Sequence, residues 1–287
     1  MNRLSALLIN PVLNKEIKLR FRSFKNYVGI FLFVAICGAV CLAFIYTETQ
    51  FSGDGFTSSD SRNLFWLLSF GQLGLIVFIT PGLTSGAISS ERERQTLNIL
   101  LTTQQSSTSI ILSKLFSSLL FLLLMVSATL PLYSIVFLYG GVSPQMVLMV
   151  FGFHLLTMLT IGSLGILFST IIRKTMVATI TTYGTMLFFT VGTLVIFLIA
   201  VRIIIGFNTG VQTTNNFLPY LALMLNPIAT MFSVYEPSLF LYELQQIGIK
   251  WPLWIGFALS YATITVLALL LAISRLRPRI RTMKKKG

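Results

Sequence analysis

Acidic residues are scarce in this chain: it has eight Asp and Glu in 287 residues, and charged residues of all kinds make up only 10%. A soluble domain carries roughly a quarter of its residues as Asp, Glu, Lys and Arg. The shortfall excludes an ordinary water-facing globule and implies a surface that faces lipid. Histidine occurs once and cysteine twice, too few to supply the four ligands of a structural zinc site. Cys37 and Cys41 stand one helical turn apart, a geometry that cannot close a disulfide, and read as small packing residues. His154, with Thr157 and Ser163 nearby, reads as a partner in an interhelical hydrogen bond. No Gly-x-x-x-x-Gly-Lys-Ser/Thr run occurs, so the chain has no loop of the kind that cradles a nucleotide's phosphates. Glu91 and Glu93 are two apart and point to different helix faces, so they form no carboxylate dyad. An embedded enzyme would lack a convergent set of catalytic groups, and no cofactor is expected in this chain.

Apolar length is abundant. Hydrophobic residues make up 55% and mean hydropathy is +0.84. Six runs, roughly Tyr27 to Tyr46, Leu64 to Ala87, Leu115 to Tyr139, Met146 to Ile172, Met176 to Val201 and Trp251 to Ile273, are long enough to span the membrane. A hydrocarbon core is about 30 Å thick and a helix rises about 1.5 Å per residue. The expected fold is an all-α integral membrane protein of six transmembrane helices, with residues 1–287 as a single transmembrane domain. A basic amphipathic stretch precedes the first run in place of a short charged n-region with an Ala-x-Ala-like exit, so the first span is expected to stay. An even number of spans puts both termini on one side. All but Arg62, Arg202 and Lys250 of the 21 Lys and Arg fall on that side, and the positive-inside rule makes it the cytoplasm. The expected location is the cell membrane, multi-pass, with both termini cytoplasmic. Lipid is an expected partner and nucleic acid is not.

Asn10 as N-cap and Pro11 at the first helical position make a good helix start. Leu13, Ile17, Phe21 and Phe24 gather on one sector of the helical wheel, and Lys15, Lys18, Arg22 and Lys25 on the adjoining one. Residues 10–26 thus read as a helix lying in the headgroup plane. The tail, 274–287, has Arg or Lys at nearly every second position from Arg275, which enforces topology and attracts anionic lipid. Between spans five and six, residues 206–250 contain a near-spanning stretch, Phe217 to Tyr235, interrupted by Pro219 and by Asn226-Pro227. A seventh span would carry the basic tail outside. Phe217 to Leu225 therefore reads as a re-entrant or interfacial helix in the outer leaflet, the alternative being a plain outer-surface hairpin. Broken backbone at membrane depth persists only when buried in protein or lining a cavity. Phe217, Pro219, Leu225, Asn226 and Pro227 are accordingly candidates for an outer gate. Gly82 and Gly86, following Pro81, form a small-xxx-small pair where helix backbones can approach closely.

The densest run of mixed charge, Ser89-Ser90-Glu91-Arg92-Glu93-Arg94-Gln95-Thr96, lies between spans two and three, in a loop at 88–109. Ser90 and Glu93 have the spacing of a capping box, with the Ser side chain accepting from the Glu93 N–H and the Glu reaching back to the Ser90 N–H. Leu97, Leu100 and Leu101 follow at i, i+3 and i+4, one apolar edge of a short helix. The polar run Thr102 to Ser109 ends that helix before the third span. Its charged start suits a partner surface, and its leucines a groove or the bilayer.

The stretch "GAISSERERQTLNILLTTQQSSTSIILSKL", Gly86 to Leu115, resembles the first cytoplasmic loop of type-2 ATP-binding-cassette exporter permeases. The matching positions are Glu91, Arg92, Glu93, Arg94, Thr96, Leu97, Leu100, Leu101 and Lys114; Gln95 stands where Gly is frequent. The basic N-terminal helix, the six spans, the "IIRKT" turn at Ile171 to Thr175 and the Asn-Pro element before the last span extend the resemblance over nearly the whole chain. It implies a permease subunit whose coupling helix, with Ser90 at its start, docks on a separate nucleotide-binding subunit that holds ATP and Mg. It also implies a second permease chain, the same or different. The alternative is an ion-coupled secondary transporter working without an ATPase. Ion coupling calls for acidic or His residues at membrane depth, and every Asp and Glu here lies outside the spans or at their ends, leaving His154 alone.

Overall fold

The computed structural model describes residues 14, 17, 18, 21–51, 55–97, 106–207, 218–236 and 252–276. The expectations for Leu13, Lys15, Leu100, Leu101, Phe217 and the tail beyond Leu276 lie outside these residues. Among the described residues the chain is helical, with no strand. Six segments are long and apolar enough to cross a membrane: Asn26–Gln50, Ser58–Glu93, Ser107–Tyr139, Pro144–Ile171, Thr175–Ile203 and Leu253–Leu276. The end of the bundle carrying Ser89–Glu93, Arg173, Lys174 and Arg275 is called the basic end below.

Helix α1, Phe24–Phe51, forms the first span. A turn at Arg22 separates it from the preceding stretch, in which Ile17 and Phe21 are half-buried and Lys18 and Arg22 exposed. Phe24, 79% exposed, and Lys25 belong to α1 and not to the stretch before the turn, where the sequence pattern places them. Most of α1 shows apolar side chains outward, among them Phe31, Ile36, Leu42 and Tyr46.

Helix α2, Ser58–Thr84, opens on a capping box: the Thr57 side chain accepts from the Asp60 N–H, and Asp60 Oδ2 accepts from the Thr57 N–H at 2.9 Å. Pro81 lies inside α2. A turn then leads to the five-residue α3, Ser89–Glu93. The third span starts earlier than expected and in two pieces, α4 at Ser107–Ser127 and α5 at Leu130–Tyr139. Ser106 caps α4 by accepting from the Ser109 N–H at 3.2 Å, so serines expected to end the preceding helix instead begin this one. The break at Ala128 and Thr129 precedes Pro131, which cannot supply an N–H to a continuous helix.

Helix α6, Pro144–Ile171, is capped by Ser143 with Pro144 in the first turn and runs through the middle of the bundle, against α2, α4 and the last span. Glycines permit this. A Cβ on Gly165 would fall 2.9 Å from the Thr84 Cβ, and one on Gly162 2.9 Å from a Leu119 methyl. The fifth span comprises α7, Thr175–Leu187, a π-helical turn at Phe188–Gly192, and α8, Thr193–Phe207. Gly82 and Gly86 face this span, with the Tyr183 hydroxyl and a Thr175 methyl as their nearest neighbours. Two short helices follow, α9 at Leu218–Met224 and α10 at Pro227–Tyr235, bent by 93° to each other. Helix α11, Leu253–Leu276, is the last span.

Candidate functional site

Helix α3 is too short to make a stable turn of its own, and its backbone is held by α6. The N–H groups of Ile88 and Ser89 both donate to the buried Ser169 hydroxyl, at 2.8 and 2.9 Å. This side chain does from another span the work of an N-cap. The charges of α3 also bond to neighbouring spans. Lys114 Nζ, on a side chain only 6% exposed, meets Glu91 Oε1 at 2.6 Å, which ties α3 to the third span. Arg92 Nη2 donates to the Thr170 carbonyl at 3.0 Å, in the last turn of α6. Glu93 accepts from the Thr175 N–H at 2.7 Å and the Thr175 hydroxyl at 2.8 Å, at the start of α7. A cation therefore sits at one helix C-terminus and an anion at the next N-terminus, the arrangement the helix dipole favours. These two bonds from Thr175, chiefly the one from its backbone N–H, hold the Glu93 carboxyl below the usual glutamate range.

Two expectations are corrected here. The capping box of Ser90 and Glu93 does not form: Ser90 donates to the Gly86 carbonyl at 2.5 Å, and the Glu93 carboxylate caps α7 instead. The spacing is right, but α3 begins at Ser89 as a continuation of the turn after α2, leaving Ser90 inside the helix and its donors already satisfied. Helix α3 also ends at Glu93, before Leu97, while Leu100 and Leu101 lie outside the described residues. Two residues beyond its end, Gln95 has a left-handed φ of 59°, the backbone state that glycine adopts most readily. Leu97 is buried with Ile88, Ile110 and Ile111 in the core of this chain, and does not face an outside groove or the bilayer. The side chains of Arg94, Gln95 and Thr96 are exposed. Arg94 and Thr96 line a cleft together with Ser90, Glu91 and Lys114.

Toward the opposite end, the broken α9–α10 pair has its freed backbone satisfied by side chains. Asn226, 1% exposed, caps α10 by accepting from the Ile228 and Ala229 N–H groups, each at 3.0 Å. The Leu223 carbonyl accepts from Thr230, the Met224 carbonyl from Ser260 and the Leu225 carbonyl from Tyr261. Tyr220 reaches the Pro252 carbonyl. Such pairing lets irregular backbone survive away from water. Of the gate candidates, Pro219, Asn226 and Pro227 are buried and Leu225 half-buried. Sequence reading missed Thr190, Thr193, Ser260 and Tyr261, which complete this joint; polar side chains in the fifth and sixth spans were the available signal.

A second polar cluster joins α2, α5 and α6. His154 Nε2 lies 3.1 Å from the Ser69 carbonyl, the interhelical bond expected of it. Tyr133 donates to Gln72 Oε1 at 2.9 Å, and Gln72 Nε2 donates to Thr129. Cys37 and Cys41 are free thiols, Cys41 buried. No three His, Cys, Asp or Glu come together among the described residues.

The family model of the ABC-2 family transporter proteins matches residues 11–277. A comparison with curated protein sequences finds no match.

Proposed function

Because the chain belongs to the ABC-2 transporter family, whose members are membrane components that partner an ATP-binding subunit, we propose that it is the transmembrane subunit of an ATP-driven exporter. Its basic end faces the cytoplasm of the cell membrane. A separate subunit binds ATP and Mg and docks on the exposed Arg94 to Thr96 corner. A second permease chain, identical or different, completes the path, and the long outward-facing apolar side of α1 supports contact with that chain or with lipid.

The observation that carries this reading is the wiring of α3. Through Glu91, Arg92 and Glu93 this helix is bonded to the third, fourth and fifth spans at once, and the second span leads directly into it. A displacement imposed on α3 from outside therefore moves four spans together, because packed helices shift as units and do not deform continuously. Membership of the ABC-2 family favours this mechanism over ion coupling.

The test is a crosslink and an uncoupling variant. A thiol introduced at Arg94 should crosslink to the co-purified ATPase subunit, with a yield that changes when ATP and vanadate are added. Glu93→Ala combined with Arg94→Ala should leave ATP hydrolysis running while transport falls at least about tenfold, the loss expected when an interaction worth about 1.4 kcal/mol is removed from the coupled step. Transport by the chain alone, driven by a proton or sodium gradient, would refute the proposal.

A further inference from the structure

The fifth span contains a π-helical turn, and a side chain from a different element bonds to it. A π turn widens the hydrogen-bond ring to i→i+5 and leaves a carbonyl poorly served within the helix; such turns occur mostly as single insertions at functional places. Here Asn226 Nδ2 donates to the Thr190 carbonyl at 2.6 Å and to the Thr193 hydroxyl at 3.1 Å. The Thr193 hydroxyl in turn donates to the Phe189 carbonyl at 2.7 Å. The orientation of the amide follows from its partners. Its Oδ1 faces two backbone N–H groups of α10, so its NH₂ must face the π turn. All of the hydrogen-bonding capacity of this one side chain is used, half on the broken helix and half on the fifth span.

The other end of α7 is held by Glu93 through Thr175. Between these two attachments lies one uninterrupted helix, Thr175–Leu187, about 20 Å long at 1.5 Å per residue. A stiff rod so fixed yields at its weakest joint, the π turn. Collapse of that turn to ordinary α geometry would rotate α7 against α8 by about 100° and shift it by about 1.5 Å, the screw of one residue. We propose that Asn226 is a latch and positioning residue. While it grips the Thr190 carbonyl the π turn persists and the broken helix stays docked; when the charge cluster moves, the grip is lost and the α9–α10 pair is freed to open the far end of the path. The proposal rests on the exporter reading, since it takes the movement of α3 from the ATPase subunit.

The experiment is a pair of spin labels, at Leu187→Cys and Leu221→Cys, in a chain with both native cysteines replaced by alanine, co-assembled with its ATPase subunit in lipid nanodiscs. Both positions are exposed. In the otherwise unaltered chain, ATP with vanadate should shift the inter-label distance. Asn226→Ser keeps a capping oxygen for α10 but is too short to reach the fifth span. It should raise the ratio of shifted to unshifted distance without nucleotide by at least on the order of tenfold, since both amide bonds to the fifth span are lost. Thr193→Val should act in the same direction more weakly, and decides the matter if Asn226→Ser does not insert. A merely structural asparagine would give broadened or unfolded signals but not the nucleotide-bound distance. If nucleotide shifts the distance and both variants keep the unshifted value, the latch is wrong and the exporter reading stands. If this pair ignores nucleotide while a second pair from Met176 to Phe116 responds, the latch is again wrong. If neither pair responds during ATP hydrolysis, the exporter reading falls and takes the latch with it.

Discussion

Lys114 shows at the scale of one residue what the charge cluster does. Its side chain is only 6% exposed and its ammonium meets the Glu91 carboxylate at 2.6 Å, which offsets part of the solvation it has lost. Glu91→Leu should therefore cost about 3 kcal/mol of stability, because it removes the counter-charge of a buried ammonium, whereas Glu91→Leu with Lys114→Met should recover most of it. Unfolding in denaturant within detergent micelles measures both; a double variant no better than the single would show that the pair is not the cause. Glu93 is different, since its carboxylate is exposed and bonded to Thr175. Its folded-state pKa lies below the unfolded one, so the bonds persist above the ordinary glutamate value of 4.5 and are lost only as pH falls through the depressed folded value. The Thr175 amide resonance should consequently titrate below 4.5 in the unaltered chain and not at all in Glu93→Gln. Titration at or above that value would contradict the cap.

At the scale of elements, close helix approach depends on where the small residues fall. Gly165 lies against the Thr84 side chain and the Ser85 backbone, whereas no atom lies within 4 Å of where a Gly184 Cβ would stand. Gly165→Ala should lower stability by about 1–3 kcal/mol through overpacking of α6 on α2. Gly184→Ala should be neutral or stabilising, since alanine is the better helix former by about 1 kcal/mol. Thermal unfolding of the two variants in the same detergent compares them, and equal effects would mean that the α2–α6 contact is looser than described. The element ends also show what was legible. Periodicity and length reveal the spans, but Ser90-x-x-Glu93 and Thr57-x-x-Asp60 have the same spacing and only the second forms a capping box. The first fails because Ser90 lies inside α3 with its donors on the Gly86 carbonyl, and the Glu93 carboxylate goes to Thr175, distant in sequence.

At the scale of the whole molecule, the two ends differ in chemistry, with cations and bonded carboxylates at one and the broken helix toward the other. Arg62 Nη2 donates to the Tyr235 carbonyl at 2.8 Å, and Tyr235 donates to Asn63 at 2.8 Å, so the second span and α10 close together at that far end. The proposed orientation, with the basic end cytoplasmic, requires that Ser59→Cys react with a membrane-impermeant maleimide in intact cells and Arg94→Cys only after permeabilisation. The reverse pattern would invert the topology and with it the docking face.

The sequence by itself determined the solvent of this protein, the number of spans, the basic asymmetry and the place of the broken helix, because these follow from local composition: apolar length, charge count, and proline's missing donor. It also located the charge cluster. Only the tertiary structure decided what that cluster touches, which residue caps which helix, and that Asn226 reaches the fifth span. Each of those bonds joins groups far apart in the chain, and a carboxylate or amide with several donors in reach is assigned by which of them folding brings within 3 Å.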